Sequence, residues 1–152
     1  MEYSIRRADI NDCESILAIE QACFEYPWSR LLFDADLSSN PNAAYWVAQS
    51  GEGEVLGFIG THDIAGEINI TNVAVAPEFR GCGIAQALVK TVKDHFKDKD
   101  IYGITLEVAS ENAPAIHVYE KAGFSPEGIR KKYYKNGDDA IIMWSRSKEE
   151  KG

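Results

Sequence analysis

Apolar side chains recur along this chain with two periods, one of about 3.6 residues and one of two. The helical period is clearest over residues 83–97, where apolar residues three and four positions apart form one stripe. The stripe consists of Ile84, Ala85, Leu88, Val89, Val92 and Phe96. A strand, Pro77 and a glycine-containing turn come before it, so residues 71–90 predict a strand–turn–helix unit.

The period of two predicts strands over residues 3–7, 44–49, 55–62, 67–75 and 101–108. Two further strands are expected between residues 124 and 145, joined by a hairpin at Asn136 and Gly137, a dipeptide typical of tight turns. In the strand over 101–108, alternation places Tyr102, Ile104, Leu106 and Val108 on one face and Thr105 and Glu107 on the other.

Three more helices are expected, each after a residue whose side chain can accept a hydrogen bond from the first turn. These residues are Asn11, Ser29 and Asn112, and the first helix would bury Cys13, Ile16, Leu17, Cys23 and Phe24. The order βα(α)βββαβαββ indicates an α/β or α+β fold, with a mixed, mostly antiparallel sheet of six to seven strands flanked by about four helices. We expect one domain over residues 1–147 and a frayed tail over 148–152.

The strand over residues 67–75 changes the phase of its alternation. Ile68 and Ile70 place apolar side chains at even positions, whereas Val73 and Val75 place them at odd positions. Such a change needs one extra residue, a β-bulge, which leaves backbone groups without a partner in the sheet. The alternative is a regular, fully buried strand that tolerates its polar residues, and the bulge is the preferred interpretation.

Composition limits the class of protein. The 152 residues are 45% hydrophobic and 26% charged, which suits one globular domain. The net charge of −8 argues against nucleic-acid binding, which needs a basic face, and is compatible with a cationic substrate. Three cysteines without metal-type spacing, and the lack of a signal peptide, membrane span or lipidation motif, predict a cytoplasmic protein with reduced thiols, no metal site and no membrane contact.

The turn between Arg80 and Gln86 suits a phosphate group, because a helix N-terminus offers free backbone N–H groups and a favourable dipole. A nucleoside-triphosphate loop would need a Gly-Lys-Ser/Thr ending, and the lysine is missing. A dinucleotide-binding loop would need glycine or alanine in place of Gln86, and the preceding hairpins do not suit that fold. The remaining pattern, Arg/Gln-x-x-Gly-x-Gly/Ala, matches residues 80–85.

That pattern resembles the coenzyme A pyrophosphate loop of the Gcn5-related N-acetyltransferases. The segment LEVASENAPAIHVYEKAGF, residues 106–124, resembles the second half of the cofactor core of that family. Within the family, the chain resembles most the RimI-type ribosomal-protein-alanine N-acetyltransferases. Those enzymes share Pro-Trp-Ser at residues 27–29 and the Tyr-Tyr and Asp-Ala-Ile-Ile-Met sequences between residues 130 and 143, so the resemblance covers nearly the whole chain.

The resemblance implies acetyl-CoA as cofactor, with CoA as product. The backbone of Val73, Ala74 and Val75 would meet the acetyl and pantetheine part, in agreement with the predicted bulge. Backbone N–H groups of the loop would hold the pyrophosphate, and the loop residues are Arg80, Gly81, Cys82, Gly83, Ile84, Ala85 and Gln86. The side chain of Asn112 would hydrogen-bond the cofactor, although a helix cap alone explains that residue equally well.

The same resemblance implies Glu107 as general base and Tyr119 as general acid. An N-terminal amine attacks a thioester only when neutral, and its unperturbed pKa of about 8 calls for only a modest base. The leaving thiolate needs a proton, which a phenol can donate. Tyr119 follows Asn112 by seven residues, roughly two turns, so both are expected on one side of the helix. Without the resemblance, an exposed strand carboxylate and a packing tyrosine would be the preferred interpretations.

Two residues depart from the RimI-type pattern. Ala109 stands where an arginine is common, so any contact of that arginine is missing, whereas Ala85 in place of glycine is a common replacement. The three histidines, His62, His95 and His117, are dispersed, which favours surface positions over a catalytic or metal role.

The acceptor end is implied to lie between residues 26–37 and 133–139. The candidate contacts for an ammonium group and the first peptide residues are Tyr26, Trp28, Tyr133, Tyr134 and Asp139. The implied acceptor is a protein N-terminus, that of a small-subunit ribosomal protein beginning with alanine. The alternatives are acetylation of a small-molecule amine or a lysine side chain, and a CoA-sensing module without turnover.

Overall fold

A computed structural model describes residues 2–147, and the tail expected over 148–152 lies outside the described residues. The strands are β1 (Tyr3–Arg7), β2 (Ala43–Ser50), β3 (Val55–Ile64), β4 (Glu67–Val75), β5 (Gly103–Ala109), β6 (Ser125–Arg130) and β7 (Ala140–Arg146). The helices are α1 (Cys13–Cys23), α2 (Arg30–Ser38), α3 (Ile84–Phe96) and α4 (Ala113–Lys121), with 3-10 turns at Ile10–Asp12 and Pro77–Phe79.

The strands form one mixed sheet in the order β1-β2-β3-β4-β5-β7-β6. Neighbouring strands are antiparallel except β4 and β5, which are parallel and are connected through α3. The predicted order of elements and the predicted class, a mostly antiparallel sheet flanked by helices, are confirmed.

Each face of the sheet carries its own apolar core, because side chains alternate along every strand. On β2, Trp46 belongs to one core and Tyr45 to the other. The α3–α4 core contains Ile68, Ile84, Leu88, Val89, Val92, Ile104, Leu106, Tyr119 and Phe124. The α1–α2 core contains Ile16, Leu17, Phe33, Tyr45, Val47, Phe58 and Ala74.

The predicted bulge in β4 is confirmed by the pairing with β3. Gly60 pairs with Asn72 and Thr61 pairs with Ile70, so Thr71 is the extra residue. After Thr71 the alternation changes phase, and Val73 packs against the same core as Ile70. The bulge therefore decides which side chains of β4 face the helices on each side.

The start of α1 differs from the prediction. Asp9, rather than Asn11, accepts a hydrogen bond from the following turn, at 2.9 Å, and the Asp12 carboxylate accepts the Asp9 backbone N–H at 2.9 Å. This capping box serves a 3-10 turn that precedes α1. Phe24, expected in the buried face of the helix, lies beyond its end and is 39% exposed.

Two expectations near the C-terminal strands were also wrong. Tyr102 lies outside β5 and is 61% exposed, and its backbone N–H donates to Gly66. The Asn136–Gly137 turn does not join two strands directly, because it lies within the longer loop of residues 131–139 between β6 and β7. The Asp139 carboxylate accepts the Lys132 backbone N–H at 2.9 Å, which orders the base of this loop.

Candidate functional site

A cleft opens between β4 and β5, because these parallel strands pair only over their first residues. Glu67–Asn69 pairs with residues 103–105, after which β4 pairs only with β3 and β5 only with β7. The facing edges therefore carry backbone groups without a strand partner. Val73, Ala74 and Val75, the residues expected to meet the acyl arm, lie on the β4 side of this opening, beyond the pairing with β5.

The loop that follows β4 presents backbone N–H groups to open space. Gly81 and Gly83 have φ angles of 81° and 78°, in the left-handed region that glycine adopts readily, and a Cβ at either would meet no atom within 4 Å. Within residues 2–147, no side chain caps α3. The first helical hydrogen bond runs from the Ala87 backbone N–H to the Gly83 carbonyl. The unpaired N–H groups of the first turn can therefore bind an anion.

The side chains of this loop offer few contacts to an anion bound beside it. The Arg80 guanidinium lies against the cleft edge, with Nη2 3.2 Å from Cys23 Sγ and Nε 3.4 Å from the Val75 carbonyl. Gln86 donates to the Val118 carbonyl and so connects α3 with α4. Ile84 is buried, whereas Cys82 is exposed. Contacts to an anion would therefore come mainly from the backbone.

Asn112 can serve as a helix cap and as a ligand donor at once. Its Oδ1 accepts the Ala115 backbone N–H at 3.3 Å, and the residue is exposed at the start of α4. Its side-chain amide has no hydrogen-bond partner within the described part of the chain. The exposed amide N–H groups are therefore accessible to a ligand.

Tyr119 occupies a nearly dry position in the α3–α4 core. It is 6% exposed, and its ring lies 6.1 Å from that of Phe124. Burial, with a smaller contribution from Tyr134, raises the pKa of Tyr119 above its ordinary value. The phenol is therefore protonated at neutral pH.

Glu107 points from β5 to the opposite face, because its neighbours Leu106 and Val108 belong to the α3–α4 core. Its side chain is 31% exposed, and its Oε2 lies 2.5 Å from Arg130 Nε. Arg130 in turn lies over the ring of Tyr133, 5.7 Å from the centroid. Arg130 is a site residue that the sequence reasoning missed.

Tyr134 lies near both predicted catalytic residues. Burial raises the pKa of Tyr134 to about 12, and the Glu107 carboxylate and Tyr133 add to the increase. Tyr134 in turn contributes to the raised pKa of Tyr119. The Tyr134 phenol thus shares an electrostatic environment with Glu107 and with Tyr119.

The acceptor end is bounded by two loops. Tyr26, 55% exposed, lies 4.8 Å from Lys135 Nζ, so the loop of residues 24–29 meets the loop of residues 131–139. We call residues 24–29 the acceptor loop. Its Trp28 is half-buried and stacks on Phe33 at 5.7 Å. Tyr26 and Tyr133 are exposed on these loops and Tyr134 is half-buried, whereas Trp28 and Asp139 mainly hold the loops.

The histidines do not cluster. His62 is half-buried rather than at the surface, with Nε2 2.7 Å from the Asp36 carboxylate, and His95 packs against Trp46. Residues 2–147 contain no group of three or more His, Cys, Asp and Glu side chains that could hold a metal ion. Over the same residues, no helix is both long and apolar enough to span a membrane.

These features fit acetyl-CoA, the cofactor implied by the sequence. The uncapped helix and its two glycines suit the pyrophosphate. The unpaired edge of β4 suits the extended, amide-containing pantetheine chain, which can hydrogen-bond it as an added strand would.

Comparison with known proteins agrees with this fit. The family model described as Acetyltransferase (GNAT) family matches residues 13–124. A Bacillus subtilis (strain 168) relative, provisionally named a ribosomal protein bS18-alanine N-acetyltransferase, is 37% identical over 142 residues, 93% of each chain. The Escherichia coli (strain K12) protein of that name is 32% identical over 144 residues, 92% of this chain and 95% of the relative.

A solved structure shows the same architecture. The crystal structure of the ribosomal-protein-S18-alanine N-acetyltransferase from Escherichia coli superposes with a TM-score of 0.87 at 28% identity, covering 95% of this chain and 94% of the other. The family match and the shared fold lead to one conclusion: the chain belongs to the Gcn5-related N-acetyltransferase family and is an acetyl-CoA-dependent N-acetyltransferase.

Proposed function

We propose that this chain acetylates the N-terminal α-amine of a protein, and that its natural acceptor is a small-subunit ribosomal protein beginning with alanine. One structural observation carries the proposal. Glu107 projects from β5 beyond its pairing with β4, on the face opposite the α3–α4 core in which Tyr119 is buried. The names of the relatives described above support the choice of acceptor.

In this mechanism three parts of the chain would hold acetyl-CoA. The β4 edge at Val73–Val75 would bind the acyl arm, the N-terminus of α3 would bind the pyrophosphate, and the Asn112 amide would donate to the cofactor. When bound, acetyl-CoA supplies a thioester carbonyl that an amine can attack. The acceptor approaches from the face that carries the acceptor loop and Glu107.

Two residues move the protons. Transfer forms a C–N bond to the amine and breaks the C–S bond to CoA, so the amine must lose a proton and the sulfur must gain one. Glu107 accepts the amine proton, directly or through a water molecule. Tyr119 donates its proton to the sulfur from the opposite face, where burial disfavours the thiolate as well as the phenolate.

The acid–base chemistry of the acceptor favours an α-amine over a lysine side chain. An α-amine has a pKa of about 8 and a lysine about 10.4, so at pH 7 about a tenth of α-amines but fewer than about one lysine in a thousand are neutral. An α-amine therefore demands less of a general base than a lysine side chain does.

The test is a peptide array incubated with the protein and acetyl-CoA. Each alanine-starting ribosomal peptide is presented with a free and with a blocked N-terminus, beside spermidine and an aminoglycoside. We expect acetylation only of free N-termini. Turnover of spermidine or the aminoglycoside, with no reaction on any peptide, would show a small-molecule acetyltransferase instead.

Replacing the proposed base gives the first prediction. Glu107→Gln should lower kcat by about 10²- to 10⁴-fold, because the neutral amide cannot accept the amine proton. Its affinity for acetyl-CoA, measured by calorimetry, should stay unchanged. The control is Glu127→Gln, which removes a comparable arginine-paired carboxylate from β6. An unchanged kcat in Glu107→Gln would remove this residue from the mechanism.

A further inference from the structure

Glu20, near the end of α1, is a carboxylate in an almost fully buried position. It is 1% exposed, and no lysine, arginine or histidine among residues 2–147 forms an ion pair with it. Burial raises the pKa of Glu20, although two hydrogen bonds oppose the increase. An unpaired buried carboxylate is costly in free energy, so an apolar residue would serve packing better.

The two hydrogen bonds of Glu20 join both sides of the proposed site. Oε2 accepts the Trp28 backbone N–H at 2.9 Å, which fixes the acceptor loop. Oε1 accepts the Asn72 side-chain amide at 2.8 Å, and Asn72 follows the extra residue of the bulge in β4. Val73, whose backbone lines the acyl arm in the proposed mechanism, is the next residue.

The bulge has few other polar partners on this side. Thr71 Oγ1 and Asn72 Oδ1 are buried without a hydrogen-bond partner within the described residues. The Asn72 side chain is therefore oriented by Glu20 through its amide group. One carboxylate thus sets the position of the acceptor loop relative to the acyl arm.

We infer that Glu20 is a positioning residue that aligns the acceptor amine with the thioester by linking the acceptor loop to the bulge of β4. The inference rests on the proposed function for its kinetic consequences, but the link itself is a property of the fold. Positional errors of about 1 Å can lower a reaction rate about 10²-fold, so a single linking group can have a measurable effect.

The test uses Glu20→Gln, which keeps the side-chain shape. A glutamine has one acceptor oxygen for two N–H donors and turns its own NH₂ group toward one of them. We expect kcat/KM for an alanine-starting peptide to fall at least about tenfold. The dissociation constant of acetyl-CoA should change less than about twofold, because the cofactor is held by backbone groups that Glu20 does not touch.

Asp12→Asn is the matched control, because Asp12 is the other buried carboxylate at α1. Asp12 is 5% exposed and accepts two hydrogen bonds from Arg6, at 2.9 and 2.8 Å, away from the cleft. Its variant should lose stability without a change in peptide kcat/KM. A loss of stability in Glu20→Gln with wild-type peptide kcat/KM would overturn the inference.

Asn72→Ala breaks the same link from the bulge, so this variant alone should also lower peptide kcat/KM, and wild-type peptide kcat/KM would overturn the inference even if Glu20→Gln does not fold. In a double-mutant cycle, the effects of Glu20→Gln and Asn72→Ala on kcat/KM should be clearly less than additive. Additive effects would contradict the inference, because they would mean that the two residues act separately.

Hydrogen exchange at the Trp28 amide tests the link without any turnover. We expect slow exchange in the wild-type protein and faster exchange in Glu20→Gln, and equal exchange would overturn the inference. If the wild-type protein acetylated no peptide while this difference in exchange was observed, the proposed function would fail and the structural link would stand.

Discussion

Tyr119, the proposed proton donor, is almost fully buried and packs against Phe124. Tyr119→Phe keeps the ring and its packing but removes the proton. We therefore expect kcat to fall about 10²-fold or more, with the dissociation constant of acetyl-CoA within about twofold of wild type. Steady-state kinetics and calorimetry measure the two quantities.

The control for that prediction is Tyr102→Phe, which removes an exposed phenol far from the predicted catalytic pair. A large loss of acetyl-CoA affinity in Tyr119→Phe, with kcat maintained, would assign Tyr119 to binding or packing instead.

The two buried carboxylates of the N-terminal region should respond to pH in opposite directions. The pKa of Glu20 is raised by burial from its ordinary value of 4.5, so the folded protein binds the proton more tightly than the unfolded chain. The stability contribution of Glu20 is therefore present below pH 4.5 and is lost as pH rises through its folded pKa. The pKa of Asp12 is lowered by its hydrogen bonds from Arg6, and its contribution is lost as pH falls through its folded pKa, below 3.8.

Urea unfolding at a series of pH values measures both contributions. As pH rises from about 4, Glu20→Gln should gain stability relative to wild type. At neutral pH, Asp12→Asn should have a lower free energy of unfolding than wild type, and this difference should shrink as pH falls below 3.8. A pH-independent difference between Glu20→Gln and wild type would contradict the buried, ionisable state assigned to Glu20.

At the scale of the elements, the proposed mechanism gives Asn112 a binding role beside its structural role as the cap of α4. Asn112→Ala should lower the free energy of unfolding by about 1 kcal/mol, because it removes the cap, and should also weaken acetyl-CoA binding. Asn112→Asp keeps a cap acceptor but replaces the amide donor with a negative charge. It should keep wild-type stability and bind acetyl-CoA at least as weakly as the alanine variant.

Urea unfolding and calorimetry on the two variants separate these roles. Wild-type acetyl-CoA affinity in Asn112→Asp would make Asn112 a helix cap only.

The positions of most elements follow from local patterns. Glu67–Val75 begins and ends where its alternation predicts, and Ser29 caps α2 as expected, with Oγ 3.3 Å from the Leu32 backbone N. The errors arose where local signals competed. Asp9 and Asn11 can both cap a helix, and a 3-10 turn ahead of α1 favoured Asp9. The Asn136–Gly137 turn was recognised, but not the longer loop that contains it.

At the scale of the whole molecule, the net charge of −8 should make the KM values of the two substrates respond to salt in opposite directions. An acidic protein attracts a basic peptide and repels anionic acetyl-CoA, and salt screens both effects over a Debye length of about 10 Å at 0.1 M. Raising the salt concentration should therefore increase the KM of a lysine- and arginine-rich acceptor peptide and decrease that of acetyl-CoA. An alanine-starting peptide with uncharged side chains is the control, and its KM should change little. A fall in the KM of the basic peptide with salt would contradict this prediction.

The sequence by itself determined most strands and helices, the glycine turn before α3 and a bulge between Ile70 and Val73. Each of these depends on residues within a few positions of one another, through side-chain alternation, helical periodicity or the backbone freedom of glycine. The family resemblance added roles for Glu107 and Tyr119, and these remain proposals.

Only the tertiary structure decided how the site is assembled. β7 inserts between β5 and β6, and Arg130 at the end of β6 forms an ion pair with Glu107 on β5. Glu20 meets Asn72 across 52 positions of sequence, through the packing of α1 on the bulge. No local pattern encodes such contacts, because they depend on strand order and on which face each helix covers.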